Sequence, residues 1–310
     1  MKNTIIILLV VIIAGVGGYM YYSKSSSTPT VPVVTTDTEN DVVVKTSSTT
    51  PVRVPAKEPV QVDTTKTIIG TSADKNAITA YHFGTGSDEI LLVGGIHGGY
   101  EWNTALVAYQ MMDYLQANPT IIPKNIKVTI IPVLNPDGLK KVVGTTERFS
   151  ASDVASSQAV VVSGRFNANT VDLNRNFDCD WKSQGVWQTK KVSGGSAAFS
   201  EPESQAIKSY VEKNKPTAVV TWYSAGGGVY ASNCHDGVLP ETTTITKKFA
   251  SASGYPAHES FDFYATTGDM VNWFAKNNIP AISVLLTNHT DTELEKNKKG
   301  IVALLKHYTK

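Results

Sequence analysis

Four runs of consecutive apolar residues punctuate the chain after its first quarter: EILLVGG (89–95), VTIIPVL (128–134), TAVVTWY (217–223) and AISVLLT (281–287). Polar residues do not alternate within them, so they predict strands buried on both faces rather than strands with one wet face. Between them lie segments whose apolar residues recur at helical spacing: ALVAYQMMDYLQ (105–116), EPESQAIKSYVEKN (201–214), TTITKKFASAS (243–253), DMVNWFAKNN (269–278) and DTELEKNKKGIVALLKHY (291–308). Pro202 suits a first helical turn, with Ser200 as its cap. Strands alternating with helices predict an α/β fold, a mixed and largely parallel β-sheet with helices on both faces. No internal repeat is visible.

The same pattern divides the chain. The stretch from Thr4 to Tyr22 carries no charge, and about 20 apolar residues are needed to cross a bilayer as a helix. Residues 1–22 are expected to be a membrane anchor, with Tyr19, Tyr21 and Tyr22 as an interfacial belt, or alternatively a cleaved signal segment. Either alternative places the rest of the protein outside the cytoplasm, anchored or secreted. Residues 23–66 are rich in Ser, Thr, Pro and Val and predict an extended linker; a small β-rich unit built on DVVVK is the competing reading. Residues 67–310 have the composition of a globular domain long enough to bury a full core.

Composition narrows the partners. The formal net charge is +1, with no basic patch or tail that would mark a nucleic-acid partner. The only two cysteines are Cys179 and Cys234. In an oxidising compartment such a pair suggests one disulfide, although two separate thiols remain open on sequence alone.

Candidate chemistry clusters at the strand ends, where ligands bind in open α/β sheets. LLVGGIHGGYEWNT (91–104) places His97 and Glu101 just beyond the first buried strand. Gly98 and Gly99 between them allow backbone to approach a ligand closely; a structural histidine with a glutamate at a helix start is the plainer reading. NPDG (135–138) follows the second strand and reads as a turn. GRFNANTVDLNRNFDCDW (164–181) holds Asn174, Arg175 and Asn176 in succession. An arginine fork flanked by amides suits a carboxylate, because two parallel N–H bonds match its two oxygens.

Taken in order with SAGG (224–227), YATTGDMVNW (264–273) and PAISVLLTN (280–288), these stretches resemble the zinc carboxypeptidase family across residues 67–310. The resemblance implies an α/β/α sandwich and removal of a peptide's C-terminal residue. It further implies zinc held by a His, a Glu and a second His, with water in the open position. His97 and Glu101 fall on the first two ligand positions, although three residues separate them where the family has two. Asp172 falls where a carboxylate orients the ligand histidine. Asn174 and Arg175 fall on the clamp for the substrate's terminal carboxylate, and Tyr264 on a mobile tyrosine. Asp269 and Val271 fall around the pocket for the departing side chain; Asp269 would bias that pocket toward basic ends or serve as a helix cap. Arg165 is the expected oxyanion arginine, with Arg148 as an alternative.

Two positions depart from the pattern. Tyr223 stands where the second ligand histidine is expected, and Leu285 where the general-base glutamate is expected. A phenol ligates zinc only when the metal removes its proton, and leucine moves no proton at all. His235, His289, Glu293 and Glu295 are the candidates to fill these gaps. The expectation is an anchored protein that holds a peptide's free C-terminal carboxylate, binds zinc weakly or not at all, and hydrolyses poorly. The alternative is an active metallocarboxypeptidase, acting on cell-wall peptides, with a rearranged metal site. No Gly-x-Ser-x-Gly elbow offers serine-hydrolase chemistry.

Overall fold

A computed structural model describes residues 65–310. The expected anchor and residues 23–64 of the expected linker, the DVVVK alternative included, fall outside the described residues, whereas Lys66, placed at the end of that linker, opens the first strand. Among the described residues no helix is long and apolar enough to cross a membrane.

The four apolar runs form the centre of one eight-stranded sheet. They are β3 (Asp88–Val93), β4 (Ile126–Ile131), β7 (Ala218–Ser224) and β10 (Ala281–Leu286), in the order β4-β3-β7-β10 and mutually parallel. Each is buried on both faces, which is why its sequence lacks alternation. Elements not legible in the hydrophobic pattern complete the edges. β1 (Lys66–Thr71) and β2 (Ala77–Phe83) add antiparallel strands beside β4, and β8 (Gly228–Ala231) lies antiparallel to β10 with the two-residue β9 (Ala257–His258) beyond it. A separate hairpin joins β5 (Gln184–Trp187) to β6 (Lys190–Ser193).

Alternate residues of a strand face opposite sides, and the two cores divide accordingly. Val220 and Trp222 of β7 pack with α1 (Trp102–Ala117), α2 (Pro136–Val143), α5 (Pro240–Ser253) and α7 (Leu294–His307). Val219 and Tyr223 pack with α4 (Pro202–Asn214) and α6 (Met270–Lys276) on the other face. A short helix, α3 (Gln158–Ser163), precedes the Arg165 segment.

The expected layout holds, with local corrections. NPDG is not a plain turn: Asn135 caps α2, its side-chain oxygen accepting from Gly138 N, and Pro136 opens the helix. Ser200 does not cap α4; the cap position is Glu201, and the Ser200 hydroxyl donates to the Glu201 carboxylate instead. Gly98 and Gly99 lie hard against neighbouring chain. Gly98 has φ of +47°, and a Cβ there would lie 2.5 Å from Gly164 O, while one on Gly99 would lie 2.3 Å from Val142. These glycines let the His97 loop sit against α2 and the segment after α3.

Candidate active site

The carboxyl ends of β3, β7 and β10 open on a pocket of ≈ 360 Å³, the location expected for an open α/β sheet. The loop after β3 supplies its charged wall. One turn of 3-10 helix, Gly98–Glu101, takes up the extra residue of the His–Glu gap. It brings Glu101 Oε1 to 2.9 Å from His97 Nδ1. His97 Nε2 lies 3.5 Å from Asp172 Oδ1. Neither imidazole nitrogen has the geometry of a hydrogen bond, so the ring sits between two carboxylates without directional bonding to either.

Asp172 and Glu101 are both buried and both stay acidic. At Asp172 burial would raise the carboxyl, but Arg165, His97 and Arg175 outweigh it and hold it far below the carboxylate range. Its Oδ2 accepts from Arg165 Nε at 2.9 Å and its Oδ1 from Asn174 N at 3.1 Å. At Glu101 burial is again opposed and exceeded by His97 and Arg165, and the carboxyl is lowered. Glu101 Oε2 accepts from Ser224 N at 3.0 Å, tying this wall to the end of β7. Asp172, expected as an orienting carboxylate, lies beside His97, but its hydrogen bonds go to Arg165 and Asn174.

Arg165 is the buried hub of this network. Its Nη1 lies 3.7 Å from Glu101 Oε1, and its guanidinium lies 4.5 Å from the Trp187 ring centroid and 5.7 Å from that of Tyr100. Its Nη2 has no hydrogen-bond partner among the described residues. The alternative oxyanion candidate, Arg148, is elsewhere, paired with Asp113 on the surface.

The two residues expected to clamp a terminal carboxylate, Asn174 and Arg175, are engaged within the protein. Asn174 Nδ2 donates to Asp269 Oδ2 at 2.7 Å, and Asn174 Oδ1 accepts from Met270 N and the Tyr223 hydroxyl. Arg175 donates through Nε and Nη2 to Val186 O and through Nη1 to Asn174 O. A guanidinium has five N–H donors, so two are not used in these bonds. Tyr264 covers this arginine, its ring centroid 5.8 Å from the guanidinium carbon. Burial raises the Tyr264 phenol, so it is neutral near pH 7. Asp269 caps α6, its Oδ1 accepting from Asn272 N at 2.9 Å, and also lines the pocket. Val271 is a correction: it is buried in the core beneath α6 and is not among the residues lining the pocket.

Tyr223 and Leu285 stand side by side. They are register partners on the parallel strands β7 and β10, and both line the pocket. Burial drives the Tyr223 phenol well above 10, and its hydroxyl hydrogen goes to Asn174. The donor set therefore fits two zinc-ligand positions, His97 and Glu101, and fails at the third. No group of three His, Cys, Asp or Glu side chains among the described residues is placed to hold a metal ion.

The four replacement candidates separate cleanly. His235 is exposed and pairs with Asp180 at 3.1 Å, away from the pocket. Glu293 anchors the turn after β10, accepting from Thr287 N and the Tyr255 hydroxyl, and Glu295 pairs with Lys298 in solvent. Only His289 lines the pocket; its Nε2 lies 3.4 Å from the Tyr100 hydroxyl and its Nδ1 is unpartnered among the described residues. Tyr100 and Trp187 were not legible as site residues. Tyr100 lies within the His–Glu gap, whose extra length was the available signal, whereas Trp187 lies on the β5–β6 hairpin, which the hydrophobic pattern does not predict. The two cysteines do form a disulfide, with Cα atoms 6.2 Å apart, joining the segment after Phe177 to the loop after β8.

A sequence profile of zinc carboxypeptidases matches residues 60–299. The chain belongs to the zinc carboxypeptidase family. Among curated relatives of this family, it is 26% identical over 68% of its length to gamma-D-glutamyl-L-diamino acid endopeptidase 1 of Lysinibacillus sphaericus, covering 57% of that protein. It is 29% identical over 46% of its length to murein peptide amidase A of Vibrio campbellii, covering 58%. The chain thus spans little more than half the length of these relatives. Its fold matches the murein-tripeptide amidase of Escherichia coli O157 with a TM-score of 0.55 at 20% identity, covering 79% of this chain and 93% of that one. It matches bovine thrombin-activatable fibrinolysis inhibitor with a TM-score of 0.62 at 17% identity, covering 78% and 89%.

Proposed function

We propose that this member of the zinc carboxypeptidase family is an extracytoplasmic, membrane-anchored protein that holds the free C-terminus of a peptide and hydrolyses it poorly. The observation carrying this reading is the Tyr223–Leu285 register pair. The positions of the third zinc ligand and of the general base are adjacent, face the pocket, and hold a neutral phenol and an alkyl chain. The two unused Arg175 donors are the carboxylate-reading element. Relatives named for murein peptides favour a cell-wall peptide as the ligand. The disulfide supports an oxidising compartment, and the uncharged stretch from Thr4 to Tyr22 supports the anchor.

The test is to titrate the purified full-length chain with zinc and to assay release of C-terminal residues from cell-wall tripeptides and tetrapeptides. The expected outcome is weak, substoichiometric zinc and turnover near background. Tight stoichiometric zinc with robust zinc-dependent release would sink the proposal. One observation favours that second reading, an active enzyme with a rearranged site: His289 lies in the pocket with a buried, unpartnered nitrogen.

A further inference from the structure

The β5–β6 hairpin carries charge that the fold leaves uncompensated. From Trp181 to Ser200 the chain has Lys182, Lys190 and Lys191 and no acidic residue. All three lysines are exposed, and among the described residues none is paired with a carboxylate. The hairpin register brings one of them to the site. Trp187 and Lys190 are opposed in the antiparallel pair, and opposed residues share a face. Trp187 and Gln188 line the pocket, and the Lys190 ammonium lies 5.4 Å from the Trp187 ring centroid. Lys191 is opposed to the exposed Val186 on the other face, because successive residues of a strand alternate. Lys190 thus stands at the lip of the pocket, and Lys191 points away from it.

Beside that lip is a row of three rings. His289, Tyr100 and Trp187 all line the pocket, with successive centroids 4.8 and 4.9 Å apart. The wall that includes Asp269 adjoins the clamp, since Asn174 bonds to Asp269 directly. A peptide held at Arg175 with its last side chain against that wall is left with the ring row for the residue before it. The Arg165 guanidinium also lies against Trp187, but its charge is taken up by Asp172 and Glu101. Lys190 brings the row a cation with no such partner. A neutral side chain lying there gains ring contact alone, and a basic one meets a like charge. An acidic side chain gains both the ring contact and a counter-charge.

Resting on the proposal that the pocket holds a peptide C-terminus, we infer that the hairpin selects peptides whose next-to-last residue is acidic, with Lys190 as the counter-charge at the lip. The test is calorimetric titration of the full-length chain, at low salt, with N-acetyl-glutamyl-alanine and N-acetyl-glutaminyl-alanine, which match in shape and differ by one charge. The C-terminal amides of both peptides are titrated alongside. The glutamyl acid is expected to bind about three- to fivefold tighter than the glutaminyl acid, the worth of one exposed ion pair. Lys190→Met, which keeps an apolar stem against Trp187, is expected to bring that ratio to about one. Lys191→Met, the same loss of charge on the other face, is expected to keep it. A ratio near one in the unaltered chain overturns the inference, and so does an equal loss in the two variants, which would assign the preference to net charge. In either case the carboxylate reading survives if the acids bind more tightly than the amides. Amides that bind as well as acids overturn the carboxylate reading, and no binding by any of the four overturns both.

Discussion

The two sides of the pocket are built on opposite principles. At the end of β3, Glu101, Asp172 and Arg165 form a buried ionic cluster around His97, with Arg165 within 3.7 Å of both carboxylates. At the ends of β7 and β10, the corresponding positions are Tyr223 and Leu285, which pack with the apolar core. On the ionic side Arg165 lies against both buried carboxylates and offsets part of the cost of burying them. The other side cannot take a proton near pH 7. The proposed loss of hydrolysis thus rests on two adjacent residues on neighbouring strands.

The strongest way to break this contrast is to make the second side ionic. The double change Tyr223→His with Leu285→Glu should raise zinc-dependent release of C-terminal residues by about 10²–10⁴, the usual worth of a general base. Either change alone should gain much less, since the ligand and the base act on the same water. If the double variant binds zinc stoichiometrically yet remains inert, the loss lies elsewhere in the pocket.

The contrast also depends on the loops that hold the two sides together. The disulfide closes a separation of 55 residues between the Asn174-Arg175 segment and the loop after β8. Replacing both cysteines by serine should cost roughly 4 kcal/mol by the chain-entropy relation, read as a lowered midpoint in urea. An unchanged midpoint would mean that packing alone holds these loops.

A smaller effect is expected from the shared element, the clamp. Arg175→Ala should weaken binding of free-acid peptides by about 1.5–3 kcal/mol, the worth of hydrogen bonds to a charged group. Amidated peptides should be nearly unaffected. Equal losses for acid and amide would assign Arg175 to holding Val186 and Asn174 in place rather than to reading a carboxylate.

The smallest effect concerns the turn beyond Leu285. At Glu293, burial raises the carboxyl, but Lys296, Tyr255 and Thr287 outweigh it and lower it from 4.5 to about 2. A depressed carboxyl contributes stability that is fully present above its unfolded value and is lost as pH falls through its folded value. Stability should therefore decline between about pH 5 and pH 2, and Glu293→Gln should flatten that decline in acid-unfolding curves. An identical acid limb in the variant would show that other carboxylates govern it.

The sequence by itself determined the sheet centre, the helices on both faces and the family. Continuous apolar runs can be satisfied only by burial on two sides, and His97, VDLNRNF and NPDG occur in an order and spacing that few alternatives share. It also exposed the two departures, because a missing histidine or glutamate is a fact of composition at a position. β8 and the β5–β6 hairpin escaped because strands of four residues are too short to show a period of their own. Only the tertiary structure decided which side chains meet. It showed that a 3-10 turn absorbs the extra residue before Glu101, and that His289 rather than His235 reaches the pocket. It also showed that Asn174 is already spoken for by Asp269, Met270 and Tyr223. Those outcomes depend on register between strands far apart in the chain, and on the competition of neighbouring donors and acceptors for the same atoms. Neither is written in any local stretch of sequence.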